Sequence, residues 1–141
     1  PVSFSPDLKY LAYLKESGAA SENLRELYLA QADGSGAWLY QRDRLLQFIG
    51  WTANSAGFLL AAGEDQQYWY GALDTPATAL GGEFFNIAVI QWLDGEHFLF
   101  GRQNNENFDL YLGNSNGTLS LLDNRIASPP QVDFFPRYAG D

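Results

Sequence analysis

An all-β fold made of three four-stranded antiparallel sheets is what this sequence predicts, and three observations carry the prediction. The first is composition: 46% of the 141 residues are hydrophobic and 16% aromatic, with 4 Trp, 8 Tyr and 10 Phe, side chains that suit a pleated, half-buried surface. The second is segment length, since the apolar runs are short and end at Gly, Asn, Asp or Pro, which reads as strands rather than helices. The third is an internal period. "FSPDLKYLAYLKE" from Phe4, "WTANSAGFLLAAGE" from Trp51 and "WLDGEHFLFGRQ" from Trp92 each set an aromatic residue before a turn and a short apolar strand, at spacings of 47 and 41 residues. "LYLAQADGS" from Leu27, "YWYGALDTP" from Tyr68 and "LYLGNSNGT" from Leu110 repeat the spacing independently, at 41 and 42 residues.

Units of this size, each a four-stranded meander, are the size of one β-propeller blade. The chain therefore divides into blade one over about 1–46, blade two over about 47–86, blade three over about 87–128 and the start of a fourth over 129–141. In blade one, Pro6 pre-sets the turn after Phe4 and Asp7 bonds the backbone ahead of it. The stretch "AASENLREL" at 19–27 has helical character, with Ser21 as a cap, and reads as a long loop between the second and third strands. In blade three the strands fall at Ile87 to Trp92, His97 to Arg102, Asp109 to Gly113 and Thr118 to Leu122, with "QNNEN" at 103–107 as a polar loop. Asp94-Gly95 and Asn116-Gly117 supply dipeptides that tolerate positive φ in tight hairpins.

These stretches carry a resemblance. "SFSPDLKYLAYL" resembles the repeat of TolB-type, WD-repeat-like propellers, in which an aromatic residue and a Ser-Pro-Asp-Gly turn precede a strand, and "LYLAQADGS" and "DLYLGNSNG" are similar to its following strand and hairpin. "RIASPPQVDFFPRYAGD" is similar to its junction between blades. Leu8 stands where the repeat has Gly, and "TANSAG" replaces the turn altogether in blade two. The resemblance implies a propeller of more blades than these, used in protein interaction or sensing in the bacterial periplasm or otherwise outside the cytoplasm. It also implies two settings, the sensor half of a membrane-anchored transcription regulator and the N-terminal propeller of a prolyl-oligopeptidase-like serine peptidase.

Charge narrows the partners. Lys and Arg number 8 against 17 Asp and Glu, for a net charge of −9, and such a surface repels nucleic-acid backbones and anionic membranes. The chain has no Cys, hence neither a disulfide framework nor a thiolate site. It also has no Met, even at position 1, so upstream sequence is expected.

Candidate chemistry is sparse, and no cofactor is expected. His97 is the one histidine; beside Asp94 and Glu96 it reads as a base or ligand, or more plainly as a half-packed residue at a strand start. "LGGEF" at 80–84 lacks the strand-loop-helix setting of a phosphate cradle and reads as a connection between blades. Asn104, Asn105, Glu106 and Asp109 gather oxygen donors suited to a hard cation, though polar hairpin loops commonly look the same. Tyr68, Trp69 and Tyr70 are consecutive, so a strand must send them to opposite faces; they form either an aromatic platform for a peptide or sugar, or packing between blades. Phe4, Trp51 and Trp92 recur at one position of the repeat and are expected to fill the gaps between blades. Three blades do not close a ring, so the expectation is a segment of a larger propeller, or a homodimer closing six blades, acting as a non-catalytic module for a protein or peptide partner.

Overall fold

The computed structural model describes residues 2–80 and 87–126, with the side chains of 87–90 and 104 left aside. The expected start of a fourth blade, and most of "LGGEF", lie outside the described residues. The chain divides into two compact units, Pro1–Asn86 and Ile87–Asp141.

The first unit holds two sheets. Sheet one has the order β1 (Val2–Phe4), β2 (Tyr10–Ser17), β3 (Leu24–Gln31), β4 (Trp38–Arg44), and sheet two the order β5 (Gln47–Trp51), β6 (Gly57–Ala62), β7 (Gln67–Ala72), β8 (Thr75–Ala79). The second unit is sheet three, with β9 (Ile87–Trp92), β10 (His97–Asn104), β11 (Asn107–Asn114) and β12 (Leu119–Ile126). Within each sheet, strands that are neighbours in sequence pair antiparallel. These are the three four-stranded meanders that the period predicts.

The turn between the first two strands shows how the repeat is built. In sheet one Ser5 N–H donates to Tyr10 O at 2.9 Å and Leu8 N–H to Ser5 O at 2.8 Å. The Ser5 hydroxyl accepts from Tyr10 N–H at 3.1 Å and donates to Asp7 Oδ1 at 2.7 Å, which also accepts from Lys9 N–H at 3.0 Å. Sheet two repeats every one of these bonds with different residues. Thr52 N–H reaches Gly57 O at 2.8 Å and Ser55 N–H reaches Thr52 O at 3.1 Å, while the Thr52 hydroxyl serves Gly57 N–H and Asn54 Oδ1. "TANSAG" is thus the same turn, not a replacement of it, because Thr and Asn carry the hydroxyl and carbonyl oxygen that Ser and Asp carry in sheet one. Leu8 (φ 60°) and Ser55 (φ 63°) occupy the left-handed position that the resemblance assigns to Gly. Sheet three shortens the turn by one residue: Leu93 N–H bonds His97 O at 2.8 Å, and Asp94 Oδ1 takes both Glu96 and His97 N–H at 2.7 Å. Gly117 takes positive φ (95°) as expected, whereas Gly95 is not among the residues with positive φ.

Several local expectations change. The stretch 19–27 contains only a 3₁₀ turn, Ala20–Glu22, and already enters β3 at Leu24. Ala19, with no side-chain hydrogen bond, is its N-cap, so Ser21 lies inside the turn instead of capping it. "QNNEN" is not a loop but a hairpin tip: Asn104 pairs with Asn107, leaving only Asn105 (φ 58°) and Glu106 to turn the chain. Strand pairing outbids the polar composition there because both strands continue to the tip. β12 begins at Leu119, not Thr118, and runs on to Ile126.

Sheets one and two pack face to face. Ala12, Leu27 and Leu29 of sheet one meet Trp51, Phe58, Leu60 and Ala62 of sheet two, with Leu46 of the connection buried among them. Trp51 stacks on Phe58, ring centroids 5.3 Å apart. At roughly 25 cal/mol per Å² of apolar surface removed from water, each such aromatic contributes several kcal/mol to holding the sheets together. Polar atoms bridge the same seam. Trp51 Nε1–H donates to Ser3 O at 3.2 Å, and Asp7 N–H to Ser55 Oγ at 2.9 Å. The Tyr40 hydroxyl donates to Thr75 O at 2.6 Å and accepts from Ala72 N–H at 3.3 Å.

Candidate interaction site

Register relates the three sheets residue by residue. Phe4, Trp51 and Trp92 pair with Leu11, Phe58 and Phe98, and these pair with Ala30, Gly71 and Gly113. One step along, Tyr13 faces Tyr28, Leu60 faces Trp69, and Phe100 faces Tyr111. The face of sheet two that meets sheet one therefore corresponds to the other face of sheet one.

That other face of sheet one carries a stacked aromatic pair. Tyr13 and Tyr28 stack at 5.6 Å with 12° between planes, and Lys15 Nζ lies 5.1 Å from the Tyr28 centroid. Sheet three repeats the group as Phe100 on Tyr111, 5.1 Å apart, with Arg102 over the Tyr111 ring at 4.9 Å. A cation over a stacked pair gains from the ring quadrupole and keeps its charge near water. Neither the paired tyrosines nor the lysine could be singled out from the sequence without the register, although "AYLK" and "ELYL" contain them.

A cleft of about 210 Å³ opens beside it in the first unit, lined by Val2, Ser3, Ala12, Tyr13, Leu14, Phe48 and Ile49. β1 pairs with β2 from Leu11 to Tyr13, and Phe48 and Ile49 of β5 close the cleft from the side of sheet two. Val2 and Phe4 stand half exposed at its edge strand, at 54% and 50%. The cleft has room for one or two side chains of a ligand.

The residues expected to bind ligands are placed otherwise. Trp69 packs into the core between sheets one and two. Tyr68 is buried at 5% exposure, and burial pushes its hydroxyl up to about 12. Tyr70 lies half-buried over Gly57, whose missing Cβ leaves room for the phenol oxygen. The three do not form one exposed platform. Asn105 and Glu106 sit exposed at the hairpin tip, whereas Asp109 is buried on β11, opposite Arg102 and within 3.4 Å of Arg125 N–H. The Asn104 backbone belongs to β10. Among the described residues no group of three or more His, Cys, Asp or Glu is arranged to hold a metal ion. Trp51 is buried at 7% in the core between sheets one and two, Trp92 is buried at 8%, and Phe4 is half exposed. His97 is half exposed beside Asp94. Asp94 is held below its ordinary value, chiefly by the Glu96 N–H.

No family model and no curated protein matches this chain. Among solved structures it is similar to the β-propeller domain of the Trilobed protease from Pyrococcus furiosus, with a TM-score of 0.63 and 15% identity over 86% of this chain and 42% of that one. This chain is built as β-propeller blades. It spans less than half the length of the chain it matches.

Proposed function

We propose that the chain is a non-catalytic segment of a larger TolB-like, WD-repeat-like β-propeller that binds a protein or peptide outside the cytoplasm, as in the sensor part of a membrane-anchored transcription regulator. The observation that carries the binding role is the apolar cleft at Phe48 and Ile49, next to the Tyr13–Tyr28 pair. It offers aromatic and aliphatic surface in a concave setting, as sites for apolar ligand side chains do. A peptide array probed with the full-length protein tests it: binders should appear, and Ile49→Asp should weaken them at least tenfold. An array without binders, or binding indifferent to Ile49→Asp, would refute the role.

A second reading makes the segment the propeller of a prolyl-oligopeptidase-like serine peptidase, favoured by the likeness to a protease's propeller domain. Reading the gene past Asp141 separates the two. A Gly-x-Ser-x-Gly elbow there supports the peptidase; a winged-helix pattern and one hydrophobic span before Pro1 support the sensor. Two copies closing a six-bladed ring would give twice the monomer mass in light scattering, and a monomer at all concentrations would exclude that assembly.

A further inference from the structure

The one histidine of the chain stands where sheets one and two have Tyr10 and Gly57, at the first strand position after the turn. Both ring nitrogens are engaged. Nδ1 lies 3.0 Å from each carboxylate oxygen of Asp94, and an ionised carboxylate only accepts, so Nδ1 carries a proton. Nε2 lies 3.2 Å from Asn114 Nδ2. The Asn114 amide has a fixed sense, because its Oδ1 accepts the Asn116 N–H at 2.9 Å and leaves Nδ2 to face the ring. Nε2 must therefore accept. The surroundings specify a neutral imidazole protonated at Nδ1.

Two turns of sheet three meet at this ring. On one side Asp94 Oδ1 holds the Glu96 and His97 N–H groups. On the other, Gly117 N–H bonds Asn114 O at 2.9 Å, and Ser115 N–H ties the second turn to Glu96 O at 2.8 Å.

We propose that His97 is a proton-operated coupling between these turns: protonation at Nε2 turns the Asn114 amide over, frees the Asn116 N–H and loosens the turn from Asn114 to Gly117. An imidazolium N–H and an amide N–H cannot share one line at 3.2 Å. Turning the amide gives Nε2–H an acceptor, but it sets Nδ2 against the Asn116 N–H, so one donor loses its partner in acid whichever way Asn114 points. Meanwhile the imidazolium strengthens the bond to Asp94 by adding charge. Order passes from one turn to the other.

Among the described residues of the elements next to the ring, the charged groups are Asp94 and Glu96 of its own turn. β9 presents Gln91 and Trp92, β11 presents Asn114, and the turn beyond presents Ser115, Asn116 and Thr118, all neutral. His97 is the one imidazole of the chain, so the coupling has a single ring to act through. Its side chain is 38% exposed, so protons reach it without unfolding.

Amide exchange by NMR, followed between about pH 5 and 8, tests the coupling, with rates corrected for intrinsic pH dependence. Protection of the Asn116 N–H should fall roughly tenfold on the acid side, as expected for losing one hydrogen bond, in step with the His97 ring signals. Protection of Glu96 and His97 should not fall. In Asn114→Asp a carboxylate can accept from both Nε2–H and Asn116 N–H, so Asn116 protection should become independent of pH. Asn116 protection that ignores the ring titration, or a dependence that survives Asn114→Asp, would overturn the proposal. Should that variant not fold, the native protein's exchange profile decides alone.

Discussion

Sheets one and two are copies of one repeat that use the same face differently. In sheet two that face carries Trp51, Phe58, Leu60 and Trp69, and sheet one covers it. In sheet one the matching positions are Phe4, Leu11, Tyr13 and Tyr28, and they meet no other sheet among the described residues. Phe4 is 50% exposed where its counterpart Trp51 is 7% exposed. A repeat therefore sets where a side chain points, while the neighbouring sheet sets how deeply it is buried.

The largest test of this contrast is truncation at the two matched positions. Trp51→Ala removes the stack on Phe58 and the bond to Ser3 O, and should cost about 3 to 5 kcal/mol in denaturant unfolding, as large cavities do. Phe4→Ala should cost within about 1 kcal/mol. Equal losses would erase the distinction.

Next in size is a methyl group. At Gly71 an added Cβ would lie 2.6 Å from the Tyr40 hydroxyl oxygen and 3.0 Å from the Phe58 ring, so Gly71→Ala should destabilise by about 1 to 3 kcal/mol. Sheet one holds Ala30 at the matching place without conflict. A neutral Gly71→Ala in thermal unfolding would mean that the seam is looser than its contacts indicate.

The smallest effect is acidic. Asp7 is held below its ordinary value, first by the Ser5 hydroxyl and then by the Lys9 N–H. A depressed folded-state value contributes order that is present above the ordinary carboxylate range, about pH 4, and is lost as pH falls through the lower folded value. The Lys9 amide signal should therefore shift in strong acid. Its counterpart Ala56, bonded to the non-titrating Asn54, should stay still, and equal shifts at both would show that the carboxylate is not the cause.

The architecture was legible because aromatic landmarks recur at one spacing and strands end at turn residues. The three sheets and their strand order follow from that alone. The turn of sheet two escaped notice because Thr52, Ala53, Asn54 and Ser55 share bonding capacity, not letters, with Ser5, Pro6, Asp7 and Leu8. Polar composition likewise disguised 103–107 as a loop, since pairing continues to its tip. The candidate site was not legible: Tyr13, Tyr28 and Lys15 come from two strands whose juxtaposition depends on register. Tyr68, Trp69 and Tyr70 are conspicuous side by side, yet adjacency in a strand separates them.

One bond between turns has a mechanical consequence. Asp7 N–H reaches Ser55 Oγ at 2.9 Å, and Ser55 is itself held by Thr52 O within the next turn. The hydroxyl thus clasps the two turns to each other at the rim of the buried seam, a link worth about 1 kcal/mol, so that Ser55→Ala would unfasten the rim while the packed rings beneath it stay in place.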